Sequence, residues 1–217
     1  MLINSFSEHS ANVAMSAQTD HPANFAVLIL AAGLSRRLGQ PKQLLLKNNK
    51  PLIRYIAELA IGLNPQSTVI IANDSIDIAS ALKELPLHIV FNPQAETGMA
   101  SSLQLGADFL KNDDMSVLIL GIDQPLLDAA FLQQLVQHHM QQPDMNIVSQ
   151  YAQTIGIPAI VQAEVLQQVK NLSGDSGLKK LLMQQVDKII KVPAPELAFD
   201  IDTVEDLIHA RVQGWVD

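Results

Sequence analysis

Residues 25–42 read FAVLILAAGLSRRLGQPK, an apolar run that passes directly into a stretch of small and basic residues. The apolar run suits one buried β-strand and is far too short to cross a bilayer. Its nearly continuous hydrophobicity is typical of a strand that is covered on both faces, as in parallel sheets. We therefore predict a central strand here, followed by a loop at the carboxyl end of that strand.

The rest of the chain repeats this alternation of strand-like and helical patterns. Strand-like segments lie at residues 68–72, 88–91, 117–120, 146–149, 157–161 and 188–192, with helical patterns at 51–63, 74–85, 99–110, 128–141, 162–170, 176–185 and 203–212. This alternation predicts an α/β fold, a doubly wound and mainly parallel sheet with helices on both faces. The polar residues 1–24 are expected to form a flexible N-terminal lead-in, and residues 25–217 a single domain.

Composition narrows the classes of protein that this chain can belong to. Hydrophobic residues make up 48% of its 217 residues and charged residues 17%, which excludes disorder over most of the chain. The chain has no cysteine, so disulfides, thiolate metal sites and cysteine catalysis are excluded. A net charge of −8 disfavours nucleic acid and anionic membranes as partners. Residues 1–24 have no secretory signal pattern, and we expect a cytoplasmic protein.

The loop after the first strand has the composition of a phosphate-binding loop. Ala31, Ala32 and Gly33 are small enough for backbone N–H groups to approach an anion, and Ser35 adds a hydrogen-bond donor. Arg36, Arg37 and Lys42 supply positive charge. The loop matches neither the dinucleotide-binding fingerprint nor the P-loop, so an ordinary turn with solvated basic residues is the alternative.

Three aspartates are candidates for a metal site. Asp123 follows the apolar strand at 117–122, and its carboxylate is expected to face the same crevice as the loop. Asp200 and Asp202 alternate around Ile201, so in extended backbone both face one way. Carboxylate oxygens suit Mg²⁺, which takes one or two of them together with substrate phosphates. The alternatives are that Asp123 caps a turn and that the other two cap the last helix.

Five segments together resemble the MobA-like nucleotidyltransferases. Residues 28–46, LILAAGLSRRLGQPKQLLL, are similar to the family signature L-A-G/A-G-x-S-x-R-M/L-G-x-x-K. The other four segments are NPQAETGMASSLQLG (92–106), ILGIDQP (119–125), LSGDSG (172–177) and DIDTVEDL (200–207). The matches cover nearly everything from residue 26 to residue 210. The resemblance implies a Rossmann-like fold of the nucleotide-diphospho-sugar transferase type.

Within that family, Ala-Ala-Gly in the loop and T-G-M-x-S-S-L later in the chain look most like the molybdenum cofactor cytidylyltransferases. This resemblance implies Mg²⁺-dependent transfer of CMP from CTP to molybdopterin, release of pyrophosphate, and an acceptor molybdoenzyme as a possible partner. Ile157 stands where the family often has histidine, which leaves the acceptor open. The alternatives are another phosphorylated acceptor, another nucleoside triphosphate, or a nucleotide-binding protein without turnover.

The resemblance also assigns roles to individual residues. Arg37, Lys42 and Asp123 would be catalytic, and Asp123 would hold Mg²⁺ together with Asp202 or Asp200. The remaining assignments are nucleotide binding by Ala31, Ala32, Gly33, Ser35, Gly98, Ser101 and Ser102, and acceptor binding by Gly156, Pro158 and Asp175.

Overall fold

The computed structural model describes residues 23–63, 65–111, 115–151, 153–174 and 177–217. Within these ranges the strands are β1 (Ala23–Ala31), β2 (Leu46–Lys47), β3 (Lys50–Pro51), β4 (Pro65–Ala72), β5 (His88–Phe91), β6 (Ser116–Leu120), β7 (Asn146–Tyr151), β8 (Thr154–Val161) and β9 (Ile189–Pro193). The α-helices are α1 (Leu52–Ile61), α2 (Ile76–Ala81), α3 (Met99–Phe109), α4 (Ala129–Gln141), α5 (Ala163–Gln167), α6 (Lys179–Leu182) and α7 (Val204–Val212). Over the described residues, no helix has the length and hydropathy required to cross a membrane.

The main sheet has seven strands in the order β5-β4-β1-β6-β8-β7-β9. β1 lies inside the sheet and pairs in parallel with β4 and β6, while β4 pairs in parallel with β5, and β7 with β9. The prediction of a mainly parallel sheet is therefore confirmed. β8 is the exception, because it runs antiparallel to both β6 and β7. Only residues 152 and 153 separate β7 from β8, too few for the crossover that a parallel pair requires.

Side chains of β1 alternate between two hydrophobic layers. Phe25, Val27 and Ile29 pack with residues of α1, α2 and α4, whereas Ala26 and Leu28 pack with residues of α3, α5 and α6. All five β1 side chains are fully buried. Burial of each large apolar side chain contributes roughly 1.5–3 kcal/mol, so both faces of this strand stabilise the fold. The double coverage explains why the strand sequence is apolar without alternation.

Several element boundaries differ from the sequence prediction. The helix predicted at 74–85 is only Ile76–Ala81, since Ser75 caps its start and Glu84 takes a left-handed backbone conformation with φ 70°. The helix predicted at 176–185 shortens to Lys179–Leu182. The antiparallel hairpin of β2 and β3 was not predicted. Of the predicted lead-in, residues 1–22 lie outside the described residues, and Ala23 and Asn24 belong to β1.

The buried His139 gives the fold a pH-dependent stability. His139 of α4 is 7% exposed, meets the Phe25 ring edge-on, and its Nδ1 has no hydrogen-bond partner among the described residues. Burial lowers the pKa of His139, so the folded protein holds a neutral imidazole at a pH where the unfolded chain binds a proton. Stability is therefore lost as pH falls through the unfolded-state pKa of about 6.5.

We predict that His139→Leu reduces this acid sensitivity. The free energy of unfolding, measured by urea denaturation at about pH 7.5 and about pH 5.5, should fall by less in the variant than in the wild type. The adjacent variant His138→Leu is the control and should follow the wild type. Equal losses in the wild type and in His139→Leu would contradict this explanation.

Candidate active site

The loop after β1, residues 31–42, curls back on itself and is called the signature loop below. Ser35 adopts φ 50°, and its carbonyl accepts hydrogen bonds from the N–H groups of Leu38 (3.1 Å) and Gly39 (3.0 Å). The hydroxyl oxygen of Ser35 accepts the N–H of Lys42 at 3.1 Å. These bonds hold Lys42 against the first half of the loop.

The segment at residues 200–202 docks beside the end of β6. Ile201 is fully buried, and its N–H donates to the carbonyl of Asp123 at 2.9 Å. This bond brings the carboxylates of two distant parts of the chain to the same edge of the sheet. The cap of α7 is Thr203, which forms a reciprocal capping box with Asp206. The side chain of Asp202 is therefore not used as the cap.

Lys42 joins the loop to these carboxylates. Its Nζ lies 2.7 Å from Asp202 Oδ1 and 3.5 Å from Asp123 Oδ2. The Lys42 side chain is only 9% exposed, so the ammonium group is withdrawn from water and depends on these partners. A guanidinium nitrogen of Arg37 contacts Asp202 Oδ2 at 2.8 Å, but the Arg37 side chain is 71% exposed, and such a pair stabilises the fold little.

The two cations change the acidity of Asp202. Partial burial by itself raises the pKa of this carboxyl, but the hydrogen bond and charge of Lys42 and the charge of Arg37 outweigh burial. The pKa of Asp202 is therefore held below its usual value. For Asp200, loss of surrounding water and then the negative charges of Asp123 and Asp202 raise the pKa to about 6. Negative charge is thus crowded at this edge of the sheet.

Asp123 and Asp202 are arranged to share one cation. Both carboxylates contact Lys42 Nζ, so their oxygens converge. In the described part of the chain, no group of three or more His, Asp or Glu side chains could hold a metal ion. The convergent pair instead matches the one or two carboxylates that Mg²⁺ takes when phosphates supply its other ligands.

A cavity of about 400 Å³ opens between the signature loop and the start of α3. Its lining includes Ala32, Gly33, Leu34, Ser35, Arg36, Lys42, Gly98, Met99, Ser102 and Asp123. Gly98 has φ 110°, a conformation that favours glycine, and it turns the chain into α3. The structure therefore brings seven of the residues predicted from the sequence to one cavity, namely Ala32, Gly33, Ser35, Lys42, Gly98, Ser102 and Asp123.

Five other predicted residues lie near the cavity but do not line it, namely Ala31, Ser101, Arg37, Asp200 and Asp202. Ala31 is fully buried, and its carbonyl accepts a hydrogen bond from Gln43. The hydroxyl oxygen of Ser101 lies 3.0 Å from the carbonyl oxygen of Gln94 and 2.9 Å from that of Gly98, and its single hydrogen can be donated to either, so this side chain supports the turn before α3. Arg37 faces Asp202, and its neighbour Arg36 lines the cavity instead.

Of the residues predicted for acceptor binding, Gly156 and Pro158 do not line this cavity. Gly156 and Pro158 lie on β8, where a Cβ at position 156 would come within 2.0 Å of the Tyr151 hydroxyl. Glycine at 156 therefore allows Tyr151 to pack against β8. Asp175 lies outside the described residues, but the carbonyl of Gly174 accepts the N–H of Ala100 at 3.1 Å, next to the cavity.

Sequence reasoning did not single out two residues of this region. Arg36 lines the cavity, although the sequence had indicated it only as one of three cations of the loop, beside the family arginine, Arg37. Gln43 is fully buried below the signature loop, and its position directly after Lys42 was the only signal for it.

Comparison with solved structures identifies the fold. A protein from Mycobacterium sp. strain JC1 matches with a TM-score of 0.74 and 23% identity, over 89% of this chain and 98% of that one. A Mycobacterium tuberculosis H37Rv protein, solved as a complex with manganese, matches with a TM-score of 0.66 and 19% identity, over 86% and 97%. These neighbours share the nucleotide-diphospho-sugar transferase-like, Rossmann-like fold.

Sequence relatives point to the same group of proteins. The bifunctional protein GlmU of Legionella pneumophila (strain Corby) is 35% identical over 130 residues, 58% of this chain and 28% of that protein. This chain thus matches little more than a quarter of that relative. A probable molybdenum cofactor guanylyltransferase of Nostoc sp. is 25% identical over 205 residues, 89% of this chain and 93% of that protein.

The family assignment rests on a match to most of the chain. A family model for the MobA-like NTP transferase domain matches residues 27–189, which include the signature loop, the start of α3 and Asp123. The chain belongs to the MobA-like nucleotidyltransferase family.

Proposed function

We propose that this protein is a Mg²⁺-dependent nucleotidyltransferase that transfers CMP from CTP to molybdopterin and releases pyrophosphate. The observation that carries the proposal is the position of Lys42, whose Nζ lies 2.7 Å from Asp202 and 3.5 Å from Asp123 at a cavity lined by the signature loop. A fixed cation, convergent carboxylates and a small-residue loop are the groups required to hold a triphosphate.

The signature loop would bind the phosphates. The N–H groups of Ala32–Ser35 would donate to phosphate oxygens, and the Ser35 hydroxyl hydrogen can also donate, because its oxygen already accepts from Lys42. Arg36 at the cavity and Arg37 near its edge would neutralise the charge of the β- and γ-phosphates. We assign Lys42 to the α-phosphate, where negative charge increases in the transition state.

Asp123 and Asp202 would hold the divalent cation, since their oxygens already converge on one positive charge. A bound Mg²⁺ would neutralise phosphate charge and align the triphosphate. The manganese complex of the structural neighbour supports a divalent metal in this fold. Asp202 is preferred over Asp200 as the second ligand, because Asp202 shares Lys42 with Asp123.

The reaction needs no protein nucleophile. An oxygen of the acceptor phosphate would attack the α-phosphorus in line, and the bond from that phosphorus to the bridging oxygen of the β-phosphate would break. The electron pair leaves with pyrophosphate. The chain's own residues would therefore act by orienting two anions and by neutralising the leaving group.

The choice of CTP rests on the resemblance of the signature loop, which reads Ala-Ala-Gly at residues 31–33, to the cytidylyltransferases of the family. Guanylyltransferases of the family more often have Ala-Gly-Gly there. Aromatic residues make up only 4% of the chain, so we expect backbone groups and Ser102 to recognise the base. GTP is the second candidate, because the Nostoc relative is named a guanylyltransferase.

The acceptor is the least constrained part of the proposal. The match to GlmU keeps a different phosphorylated acceptor open, as does Ile157 on β8. A nucleotide-binding protein without turnover is the alternative from another functional class. The retention of Lys42, Asp123 and Asp202 in one cluster supports an enzyme.

A nucleotide panel tests the proposed reaction. With Mg²⁺ and molybdopterin, pyrophosphate release should be fastest with CTP among the four nucleoside triphosphates, and mass spectrometry should detect the cytosine dinucleotide product. If pyrophosphate release were fastest with GTP, the base would be guanine instead of cytosine, and the proposed transfer reaction would still stand. If the protein bound nucleotide but released no pyrophosphate with any combination of nucleoside triphosphate and acceptor, sugar phosphates included, the proposal that it is an enzyme would be wrong.

Removal of the ammonium group tests the role of Lys42. Lys42→Met should lower kcat by about 100-fold or more, because one preorganised donor to the transition state is lost. Without nucleotide, the variant should bind Mn²⁺ at least as tightly as the wild type, since a competing cation is removed. Lys50→Met is the matched control, as Lys50 pairs with Glu58 instead of the site aspartates. A wild-type rate in Lys42→Met would refute the assignment.

Binding of Mn²⁺ distinguishes the three aspartates. In electron paramagnetic resonance titrations with nucleotide present, Asp123→Asn and Asp202→Asn should each weaken Mn²⁺ binding by about tenfold or more, since each removes a ligand. Asp200→Asn should weaken it by less than about threefold, because only a nearby charge is lost. A larger loss in Asp200→Asn than in Asp202→Asn would reverse the ligand assignment.

A further inference from the structure

The buried side-chain amide of Gln43 forms hydrogen bonds to the backbone of the signature loop. The side chain is fully buried, and Nε2 donates to the carbonyl oxygens of Ala31 and Gly33, both at 2.7 Å. Its Oε1 has no hydrogen-bond partner among the described residues. Burial of an amide is costly unless it forms hydrogen bonds, and here both N–H bonds are made to this loop.

The geometry of the peptide bond links these two carbonyls to the cavity. In a trans peptide, the C=O of one residue and the N–H of the next point in opposite directions. Among the described residues, the cis peptide bond joins Ile157 to Pro158, so the peptide bonds of the signature loop are trans. When the carbonyls of Ala31 and Gly33 point to Gln43, the N–H groups of Ala32 and Leu34 point away from it. Both Ala32 and Leu34 line the cavity beside the signature loop.

Sheet pairing and burial hold the first two residues of the loop, because Ala31 pairs with Ala72 and Ala32 is buried. From Gly33 onward side-chain packing is sparse, since Gly33 has no atom within 4 Å of where a Cβ would stand and Leu34 is exposed. Backbone of this kind samples many conformations unless hydrogen bonds fix it. Donors that are fixed before binding avoid the entropic cost of ordering them around a ligand.

We infer that Gln43 is a positioning residue for nucleotide binding, which acts by pointing the N–H groups of Ala32 and Leu34 into the cavity. The inference rests on the proposed function, because it assigns the nucleotide phosphates as the ligand of those N–H groups. Gln43 and Lys42 belong to one short 3₁₀ helix, Lys42–Leu44, so a single turn fixes both the loop and the ammonium group. Gln43 itself touches no substrate.

The test replaces Gln43 by methionine, which keeps an unbranched side chain of similar length and removes the N–H donors. The matched control is Gln104→Met. Gln104 is a half-buried residue of α3 whose Nε2 donates to the carbonyl of Leu172 at 2.9 Å, away from the signature loop. Both variants lose an amide-to-carbonyl bond, but only Gln43→Met should release the loop.

Two measurements follow the loop with and without nucleotide. In the free protein, native-state trypsin should cut after Arg36 or Arg37 about tenfold faster in Gln43→Met than in Gln104→Met, because the exposed loop arginines are less constrained. In steady-state assays, Gln43→Met should raise KM for the nucleoside triphosphate by about tenfold or more and change kcat by less than about threefold. Loss of folded protein alone would lower kcat and leave KM unchanged.

The two measurements also separate this inference from the proposed function. If the wild type neither binds nor turns over any nucleotide, the proposed function fails and the inference falls with it, whatever the trypsin result. If the wild type is active but Gln43→Met keeps the wild-type KM, the inference fails and the proposed function stands. If Gln43→Met does not fold, Gln43→Asn replaces it as the test. Asparagine keeps the amide but is one methylene shorter, so KM for the nucleoside triphosphate should rise above the wild-type value. An unchanged KM in Gln43→Asn would overturn the inference.

Discussion

A buried ammonium group, shared between two carboxylates from distant parts of the chain, is the contact on which this site depends. Lys42 enters from the loop after β1, Asp123 from the end of β6, and Asp202 from the segment before α7. Withdrawing a charge from water is costly, and removal of either partner leaves the cost uncompensated. The hydrogen bond from Ile201 to the Asp123 carbonyl keeps the two carboxylates side by side. The ammonium group of Lys42 therefore holds the carboxylates of Asp123 and Asp202 together at this edge of the sheet.

The fold makes such a cluster possible because β1 and β6 are neighbouring parallel strands. Their carboxyl ends meet at the same edge, and the loops that follow them face one crevice. The signature loop adds backbone donors on one side of the cavity, and the start of α3 closes the other side. Lys42, the last residue of the loop, and Gln43, whose amide is buried beneath the loop, belong to the same short helical turn. Backbone of the signature loop, a cation and carboxylates are thus held together by the sheet edge and by the turns that follow its strands.

Much of this arrangement could be predicted from the sequence because it follows from strand order. An apolar run followed by small and basic residues predicted β1 and its loop. The position of Asp123 directly after another apolar run predicted that its carboxylate would face that loop. The antiparallel direction of β8 was not foreseen, since hydrophobicity shows that a strand is buried and not which way it runs. The partners of Arg37, Ser101 and Ala31 also escaped prediction, because they are set by competition among polar groups that meet only in the folded chain.

In the proposed function, Lys42, Asp123 and Asp202 form the site at which a nucleoside triphosphate is held with its divalent cation. A crystal structure of the protein with Mn²⁺ and a non-hydrolysable CTP analogue tests this arrangement. We expect anomalous density for manganese between Asp123 and Asp202, the triphosphate against the N–H groups of the signature loop, and Lys42 Nζ at the α-phosphate. A nucleotide bound elsewhere, or Lys42 still seated between the two carboxylates with manganese at another site, would contradict the account.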